Sequence, residues 1–433
     1  MSPVSLPQRI LIVENSRSYA GMLSEAIGST LELPVTLART LAEADVALTT
    51  HPDIFLILSG LVLPDAAENA IIERLSATAL PLVLVSSKYD EALRDRVVGR
   101  SVVDYVIKSA PGHLDYLVWL VQRLDRNRRI GALIVDDSAS SRLMVAELLS
   151  SYGFRVLLAS DGEQAMAAIE LDTGIRLVIT DHEMPGMTGI ELTAALRDRY
   201  SRDRLAIIGI SGANKTELVA RFLKNGANDF LHKPFSPEEF FCRVSQNVDN
   251  LDLIGTLQDL ATKDFLTGLS NRRHFFEIAE RRLQGLRNAR HPLAVAMLDI
   301  DHFKKINDTW GHDGGDIALR AVARSLQAQM RPGDILARFG GEEIAVLAGE
   351  LDVDAARAWF NALREHIGAL AIKLPDGRGF SLTISIGVLV AAPESVPLSL
   401  HAALNESDRL LYLAKAGGRN RVEISLSPFQ ESP

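Results

Sequence analysis

The sequence predicts an α/β protein with two tandem doubly wound (βα)5 domains followed by a mixed-sheet α/β domain. Short runs rich in Val, Ile and Leu alternate with segments of helical period over residues 10–124, and the same rhythm restarts over residues 130–250. This repetition indicates two copies of one fold with parallel sheets. Beyond Asp264 the helical segments become longer and alternate with further apolar runs at 293–298, 343–347 and 382–390. A chain of 433 residues suits three domains of roughly 150 residues each.

Polar joints and helix signals define the domain boundaries. Arginines at 126, 128 and 129 separate residues 1–127 from 128–246. Ser236 is followed by Pro and two Glu, so it provides an N-cap, a first-turn proline and a capping-box glutamate, and a helix begins there. We expect a connecting helix over 247–263 and a third domain over 264–428. The apolar stripe of this helix drifts around its axis, which leaves open a parallel coiled coil with a second copy or packing on a neighbouring domain.

The composition favours a cytoplasmic protein. The longest apolar runs, such as 54–63, are shorter than the roughly 18 residues of a membrane-spanning helix, and no signal segment opens the chain. Cys242 is the only cysteine, which excludes an internal disulfide and a cysteine-based zinc cluster. A net charge of -9 disfavours nonspecific nucleic-acid binding. We therefore expect neither membrane insertion nor a nucleic-acid partner.

Polar side chains stand at the carboxyl ends of the predicted strands of the second domain. Asp136 and Asp137 follow one strand, Asp181 and Ser211 end two others, and Lys233 follows the last. Because ligands bind at this edge of an open parallel sheet, we expect one pocket with three carboxylates, a hydroxyl and an ammonium. Such a pocket suits Mg²⁺ and a phosphoryl group. The alternative is that these carboxylates only cap helices or face water.

This pattern resembles the response-regulator receiver family over about 120 positions, including the turn Asp181-His182-Glu183-Met184-Pro185-Gly186. The resemblance implies a phosphodonor histidine kinase or phosphotransfer protein as a partner. It also implies one Mg²⁺ and a cis peptide at Lys233-Pro234. By this resemblance Asp181 accepts the phosphate and Lys233 pairs with the phosphoryl oxygens. Ser211 and Phe230 form the switch pair. The implied Mg²⁺ ligands are Asp136, Asp137, Asp181 and the Glu183 carbonyl.

The first domain departs from this pattern. Glu14-Asn15 replaces the acidic pair, and the strand end before Pro64 reads Leu58-Ser59-Gly60 without an aspartate. Lys108 is retained. We interpret this domain as a degenerate receiver that serves packing or dimerisation, and the sensing of another signal stays open.

The third domain carries Gly340-Gly341-Glu342-Glu343 after a short predicted strand. Paired glycines permit a hairpin turn and the close approach of a phosphate. Another strand ends at Asp299-Ile300-Asp301, so carboxylates and a carbonyl can converge on Mg²⁺, and two such ions suit phosphoryl transfer. Taken alone, Gly-Gly-Glu-Glu is more often an ordinary hairpin with solvated acids.

This domain resembles the GGDEF family of diguanylate cyclases from Asp264 to about Glu423. The matching motifs are Asp264 to Arg273, Asp299 to Asp308, Gly311-His312 to Asp316, Gly340 to Ile344, and Lys415 to Asn420. The resemblance implies GTP as substrate and two Mg²⁺ per site. The implied metal ligands are Asp299, the Ile300 carbonyl, Glu342 and Glu343, although Glu343 could instead act as the base. The resemblance also implies that Asn307 and Asp316 bind the guanine edge. The implied partners of the triphosphate are Lys304, Lys415 and Arg419. An aspartate accepts hydrogen bonds from N1 and the exocyclic amine of guanine, which favours GTP over ATP.

Ring closure needs two GTP-loaded domains facing each other, so the resemblance implies a homodimer that forms cyclic di-GMP and two pyrophosphates. Arg331-Pro332-Gly333-Asp334 matches the family's RxxD product-inhibition site, although the same pattern also occurs as a surface turn with one ion pair. We expect a cyclase controlled by phosphorylation. The alternatives are a non-catalytic protein that binds GTP or cyclic di-GMP, and a nucleotidyl cyclase of relaxed base choice.

Overall fold

The structure, a computed structural model, describes residues 8–88, 90–97, 102–212, 216–289, 291–392 and 399–427. The chain divides into two compact units, residues 1–254 and 255–433. The predicted end of the third domain at residue 428 lies outside the described residues. None of the described helices combines the length and apolar character needed to cross a membrane.

The first half of the first unit is a doubly wound α/β domain. In its described residues a parallel sheet has the order β2-β1-β3-β4-β5. Every residue of the central strand β3 is buried, which explains its continuous apolar sequence. The elements are β1 (Arg9–Val13), α1 (Arg17–Leu31), β2 (Val35–Ala38), α2 (Leu41–Thr50), β3 (Ile54–Gly60), α3 (Glu68–Ser76), β4 (Leu82–Ser86), α4 (Glu91–Val97), β5 (Val102–Ile107) and α5 (His113–Asn127).

The second half repeats this architecture. Its described strands form a parallel sheet in the order β10-β9-β8-β6-β7, which is the same order as in the first half when read from the other edge. The described residues thus form two α/β halves with parallel sheets, which agrees with the predicted α/β fold class. The elements are β6 (Gly131–Val135), α6 (Ala139–Ser151), β7 (Arg155–Ala159), α7 (Gly162–Leu171), β8 (Ile175–Asp181), α8 (Gly189–Arg197), β9 (Ala206–Ser211), α9 (Thr216–Lys224), β10 (Asp229–His232) and α10 (Pro237–Thr262).

Helix α10 begins where the sequence predicts. The Ser236 hydroxyl accepts a hydrogen bond from the Glu239 backbone N–H at 3.1 Å, as an N-cap does. The helix is continuous to Thr262, so it contains both the end of the predicted second domain and the predicted connecting helix. Its first half is buried in a core that residues of both parallel sheets share, through side chains such as Val244 and Val248.

The second unit contains a mixed sheet, as predicted. Its described strands have the order β11-β13-β14-β12-β17-β18, in which β12 is antiparallel to both neighbours and β17 is parallel to β18. The elements are β11 (Ser270–Asn271), α11 (Arg272–Asn288), β12 (Leu293–Ile300), α12 (Phe303–Gln329), β13 (Ile335–Gly340), β14 (Glu343–Gly349), α13 (Val353–Gly368), β15 (Ile372–Lys373), β16 (Gly379–Phe380), β17 (Ile384–Ala391), α14 (Leu400–Ala416) and β18 (Val422–Ser427).

Candidate functional site

The polar residues of the second parallel sheet meet at its carboxyl edge, as the strand pattern predicts. One cavity is lined by Asp136, Asp137, Ser138, Asp181, Glu183, Ser211, Gly212 and Lys233. The peptide between Lys233 and Pro234 is cis, which confirms the expectation from the resemblance.

Lys233 joins the two most buried carboxylates of this cavity. Its Nζ lies 2.7 Å from Asp181 Oδ1 and 2.9 Å from Asp136 Oδ2. Burial works against the charged ammonium, but the hydrogen bonds to Asp181 and Asp136 outweigh it, so the pKa of Lys233 is raised. The site is thus held together by one cation between two anions.

Ser141 is a contributor that the sequence reasoning missed. Its hydroxyl lies 2.5 Å from Asp136 Oδ2 and 2.9 Å from Lys233 Nζ. Its position in the sequence could have identified it. Ser141 lies in the first turn of α6, shortly after the acidic pair, where a side chain faces the strand ends.

The donor chemistry of this cavity fits Mg²⁺. Asp136, Asp137, Asp181 and the Glu183 carbonyl supply only oxygen atoms, which this ion prefers. In the described part of the chain no three Asp, Glu, His or Cys side chains converge as a preassembled metal site.

The predicted switch pair lies on neighbouring strands. Ser211 ends β9 and is 3 % exposed. Phe230 on β10 is 6 % exposed, and its ring centroid lies 5.3 Å from that of Phe222 and 5.0 Å from that of His232. The aromatic ring is therefore turned inward in this structure.

Three acidic residues of the second unit, Asp299, Glu342 and Glu343, lie on the segments around the hairpin between β13 and β14. Gly341 has a φ of 53°, a left-handed conformation that favours glycine, and the turn leads directly into Glu342 and Glu343. In the antiparallel pairing of β12 with β14, Glu343 lies opposite Asp299. Sheet register thus brings the two predicted metal-ligand segments side by side.

Asp299 is a perturbed acid. It is 5 % exposed, and its pKa is raised to about 6. Burial is the largest cause; the charges of Glu342 and Glu343 add to it, and the hydrogen bond and charge of Lys415 oppose it. Lys415, in the last turn of α14, places Nζ 2.7 Å from Asp299 Oδ2. The Asp299 carboxylate therefore already faces a cation.

Asp301 has a different environment. Its carboxylate accepts hydrogen bonds from Thr383 at 2.7 Å, Ser385 at 2.6 Å and the Asn420 N–H at 3.0 Å. These bonds tie the end of β12 to β17 and to the turn after α14. They leave Asp299 as the carboxylate of this segment that faces the glycine turn.

The predicted base-reading residues lie on either side of a break in α12. Gly311 has a φ of 73° inside the helix, with Asn307 before it and Asp316 after it. A Cβ atom at Gly315 would lie 1.9 Å from Asn307 Oδ1, so any side chain there would displace the Asn307 amide. Trp310, next to the break, stacks on Phe380 with ring centroids 5.3 Å apart and lies 5.1 Å from the Arg378 guanidinium.

The remaining predicted phosphate-binding side chains are at the surface. Lys304 lies in the first turn of α12, and Arg419 lies in the turn after α14 with a φ of 63°. Both are exposed. The structure thus brings Lys415, but neither Lys304 nor Arg419, into direct contact with Asp299.

Arg338 is a second residue that the sequence reasoning missed. It donates to the Gly341 carbonyl from Nε at 3.0 Å and from Nη2 at 2.7 Å. Its Nη1 lies 2.9 Å from Asp264 Oδ1. Burial opposes ionisation of Asp264, but bonds from Thr267 and Arg338 prevail and lower its pKa. The signal was an arginine two positions before the paired glycines.

The RxxD residues bind each other. Arg331 Nε and Nη2 lie 3.0 and 3.1 Å from the Asp334 carboxylate, and Nη2 also lies 3.1 Å from the Gly349 carbonyl. The guanidinium lies 5.0 Å from the centre of the Trp359 ring. The Asp334 side chain is 3 % exposed, so this is a packed cluster rather than a loose surface turn.

Two family descriptions match the chain. Residues 132–245 match the response regulator receiver domain, and residues 261–421 match the diguanylate cyclase GGDEF domain. Residues 1–131 lie outside both matched segments.

Individual proteins are similar to large parts of this chain. The response regulator PleD of Caulobacter vibrioides (strain NA1000 / CB15N) is 33% identical over 298 residues, which cover 67% of this chain and 64% of PleD. Diguanylate cyclase A of Treponema denticola is 35% identical over 42% of this chain and 50% of its own length. The chain thus spans less than two thirds of these curated relatives.

A solved structure described as a two-component system response regulator/GGDEF domain protein is 41% identical, with a TM-score of 0.51 over 57% of this chain and 99% of that chain. The chain therefore belongs to the response regulators that carry a GGDEF domain.

Proposed function

We propose that the protein is a diguanylate cyclase that joins two GTP molecules into cyclic di-GMP under the control of phosphorylation at Asp181. One observation carries this proposal: the register of β12 and β14 sets Asp299 opposite Glu343 beside the glycine turn, and Lys415 lies 2.7 Å from Asp299. Neighbouring acidic segments beside a lysine suit the metal-assisted phosphoryl transfer of a nucleoside triphosphate.

The donors at the turn fit two Mg²⁺ ions. Asp299, the Ile300 carbonyl, Glu342 and Glu343 would hold them, and when bound they neutralise charge on the α-phosphate and the leaving pyrophosphate. The pairing of Asp299 with Lys415 supports this assignment, because it shows that the buried carboxylate accepts a neighbouring cation. The charges of Glu342 and Glu343, which add to the effect of burial on the Asp299 pKa, support it as well.

The chain's own groups have separate roles in this proposal. Asn307 and Asp316 bind the guanine edge, and Lys304, Lys415 and Arg419 bind the triphosphate. A 3′-oxygen forms a bond to the α-phosphorus of the other GTP while the bond to pyrophosphate breaks. Glu343 is exposed at the start of β14. Where Glu343 is not a ligand of the second ion, it accepts the proton of the attacking hydroxyl.

Two such sites must face each other, so we propose a homodimer. Leu253, Leu257 and Leu260 on α10 are 58%, 55% and 67% exposed. Their spacing of four and three residues is that of a coiled-coil seam. This exposure favours pairing of α10 with a second copy over burial on the same chain.

Control would begin at the cavity of the second parallel sheet. A cytoplasmic histidine kinase or phosphotransfer protein donates the phosphoryl group to Asp181, with one Mg²⁺ held by Asp136, Asp137, Asp181 and the Glu183 carbonyl. Lys233, already 2.7 Å from Asp181, then pairs with the phosphoryl oxygens. Ser211 and Phe230 pass the change to β9 and β10.

We further propose that cyclic di-GMP inhibits the enzyme at Arg331 and Asp334. Product must compete with the existing Arg331 to Asp334 pair. The stack of the Arg331 guanidinium on Trp359 offers a flat surface beside that pair. Inhibition should therefore weaken in Arg331→Ala.

The deciding experiment measures cyclic di-GMP formation from GTP and Mg²⁺, with and without beryllofluoride as a phosphoryl mimic. We expect product that increases with the mimic in the wild type, no increase in Asp181→Asn, and no product in Glu342→Gln. Competition between GTP and ATP tests base choice. Product that ignores beryllofluoride would remove phosphorylation control and leave the cyclase, whereas bound GTP without any product would favour a nucleotide-binding effector.

A further inference from the structure

The two parallel sheets of the first unit carry matching positions at their carboxyl edges. Pairing of β1 with β3 places Val13 beside Ser59, and pairing of β6 with β8 places Val135 beside Thr180. The residues that follow these pairs therefore correspond: Glu14 to Asp136, and Gly60 to Asp181.

The lysines correspond as well. The Lys108 N–H donates to the Ser86 carbonyl at 2.7 Å, and the Lys233 N–H donates to the Ser211 carbonyl at 2.9 Å. The first sheet thus retains the lysine and the hydroxyl position of the second but has glycine where the acceptor aspartate stands.

Glu14 fills the space that this glycine leaves. Its Oε2 lies 2.6 Å from Lys108 Nζ, close to the 2.7 Å between Asp181 and Lys233. A Cβ atom on residue 60 would lie 2.7 Å from Glu14 Oε2, so the carboxylate sits where an acceptor side chain would begin. The side chain of Glu14 is 4% exposed. Glutamate reaches this place because it is one methylene longer than aspartate.

The backbone anchors Glu14 as it anchors its counterpart. The Ser16 N–H donates to Glu14 Oε1 at 3.0 Å, and the Ser138 N–H donates to Asp136 Oδ1 at 2.9 Å. Tyr19 stands where the second sheet has Ser141, and its ring centre lies 4.5 Å from Lys108 Nζ. Lys108 is therefore enclosed by a carboxylate and an aromatic face.

The charges of the two sites differ. Asp136, Asp137 and Asp181 against Lys233 leave two negative charges, which attract Mg²⁺. Glu14 against Lys108 leaves none. Asp65 does not change this balance, because its carboxylate accepts from the Leu41 and Ala42 N–H groups at the start of α2.

We propose that Glu14 permanently takes the place of the acceptor aspartate in the first domain, so that Lys108 is ion-paired without Mg²⁺ or a phosphodonor and this domain keeps one state. The other domain alone then responds to phosphorylation. Removing a partner from a buried ion pair leaves an uncompensated charge, so this pair also stabilises the domain.

A gain-of-site experiment in the full chain tests this proposal. Beryllofluoride with Mg²⁺ is titrated by calorimetry and followed by fluorine NMR. We expect one site per chain in the wild type and none in Asp181→Asn. In that Asp181→Asn background, Gly60→Asp alone should restore no site because Glu14 blocks it. Gly60→Asp with Glu14→Asp and Asn15→Asp should restore one site.

Binding by Gly60→Asp alone, or a site that persists in Asp181→Asn, would overturn the proposal. Apart from Glu14, the nearest atom to a Cβ at residue 60 lies 3.5 Å away, an ordinary contact, so Glu14 is the specific obstacle. Should the triple replacement fail to fold, a double-mutant cycle of Glu14→Gln and Lys108→Met decides. Each single change should lower Tm by several degrees, and the double variant should lose much less than the sum of the two single losses. A loss in the double variant equal to that sum would show that Glu14 and Lys108 do not interact.

Discussion

The Arg338 guanidinium holds the Gly341 carbonyl with two hydrogen bonds, at 3.0 and 2.7 Å. Because Nη1 also binds Asp264, one side chain connects the glycine turn to the segment that directly follows α10. The turn leads into Glu342 and Glu343, so Arg338 anchors the segment that carries them. Guanidinium geometry matters here, since a lysine cannot make these contacts in parallel.

We expect Arg338→Lys to lower kcat of cyclic di-GMP formation by about 10-fold or more while KM for GTP changes little, because misplacing catalytic groups by about 1 Å is enough for that loss. Steady-state kinetics on the full chain measure this. Arg409→Lys is the matched control, because among the described residues Arg409 forms an ion pair with Glu406 alone, on α14. Equal kcat in Arg338→Lys and the wild type would show that the clamp does not position the turn.

The Asp299 pKa of about 6 predicts how Mg²⁺ binding depends on pH. Below this pKa the carboxyl group is protonated, and a proton must leave before the ion binds. Apparent Mg²⁺ affinity should therefore be constant above about pH 7 and fall as pH decreases through 6, approaching tenfold per unit. Calorimetric titration of the free enzyme with Mg²⁺ in several buffers measures this and the proton released.

Lys415→Met provides the complementary test. Lys415 lowers the pKa of Asp299, so its removal should raise that pKa and move the loss of Mg²⁺ affinity to higher pH. A midpoint that stays in place, or moves to lower pH, would contradict the assigned coupling.

The register of β12 and β14 shows which parts of the site the sequence could predict. Strand patterns identified both segments, and antiparallel pairing does place Glu343 opposite Asp299. The pattern did not reveal Ser141 or Arg338, because each acts through individual side-chain hydrogen bonds that only the folded chain defines. Apolar periodicity is enforced by a whole element, whereas a single hydrogen bond leaves no repeat in the sequence.

The first domain shows the same limit. The sequence shows that Gly60 replaces an aspartate. It does not show that the Glu14 side chain fills the place of that aspartate. A glutamate after a strand reads equally well as a solvated acid. Only its packing beside Lys108 distinguishes the two.

Trp310 should influence base recognition through the break in α12. Its ring is held between Phe380 and Arg378, next to Gly311, and the break separates Asn307 from Asp316. We expect Trp310→Ala to raise KM for GTP several-fold and to reduce discrimination against ATP, with a smaller effect on kcat. Trp310→Phe, which keeps a stacked ring, should remain near the wild type. Equal losses in kcat and in discrimination would instead indicate general damage to the fold.

Arg243 should carry the phosphorylation signal from β10 to α10. Asp229 directly precedes Phe230, and its carboxylate lies 3.2 and 3.3 Å from Arg243 Nη1 and 3.3 Å from Asn247 Nδ2. Phe230 is therefore adjacent in sequence to a residue whose carboxylate contacts α10. A movement of Phe230 should change the contacts of Asp229 with Arg243 and Asn247. Because this ion pair is partly exposed, its loss should change stability by at most about 1 kcal/mol.

Arg243→Ala should thus keep the cyclase rate measured without beryllofluoride but reduce its activation by the mimic about 2- to 5-fold, as expected for a coupling of 0.5–1 kcal/mol. Asn247→Ala should act in the same direction, because both side chains bind the same carboxylate. Arg221→Ala, in the last turn of α9, is the control for removing a surface arginine. If Arg243→Ala keeps full activation, the signal reaches α10 by another route, through the packed side chains of Phe240 and Phe241 in the shared core.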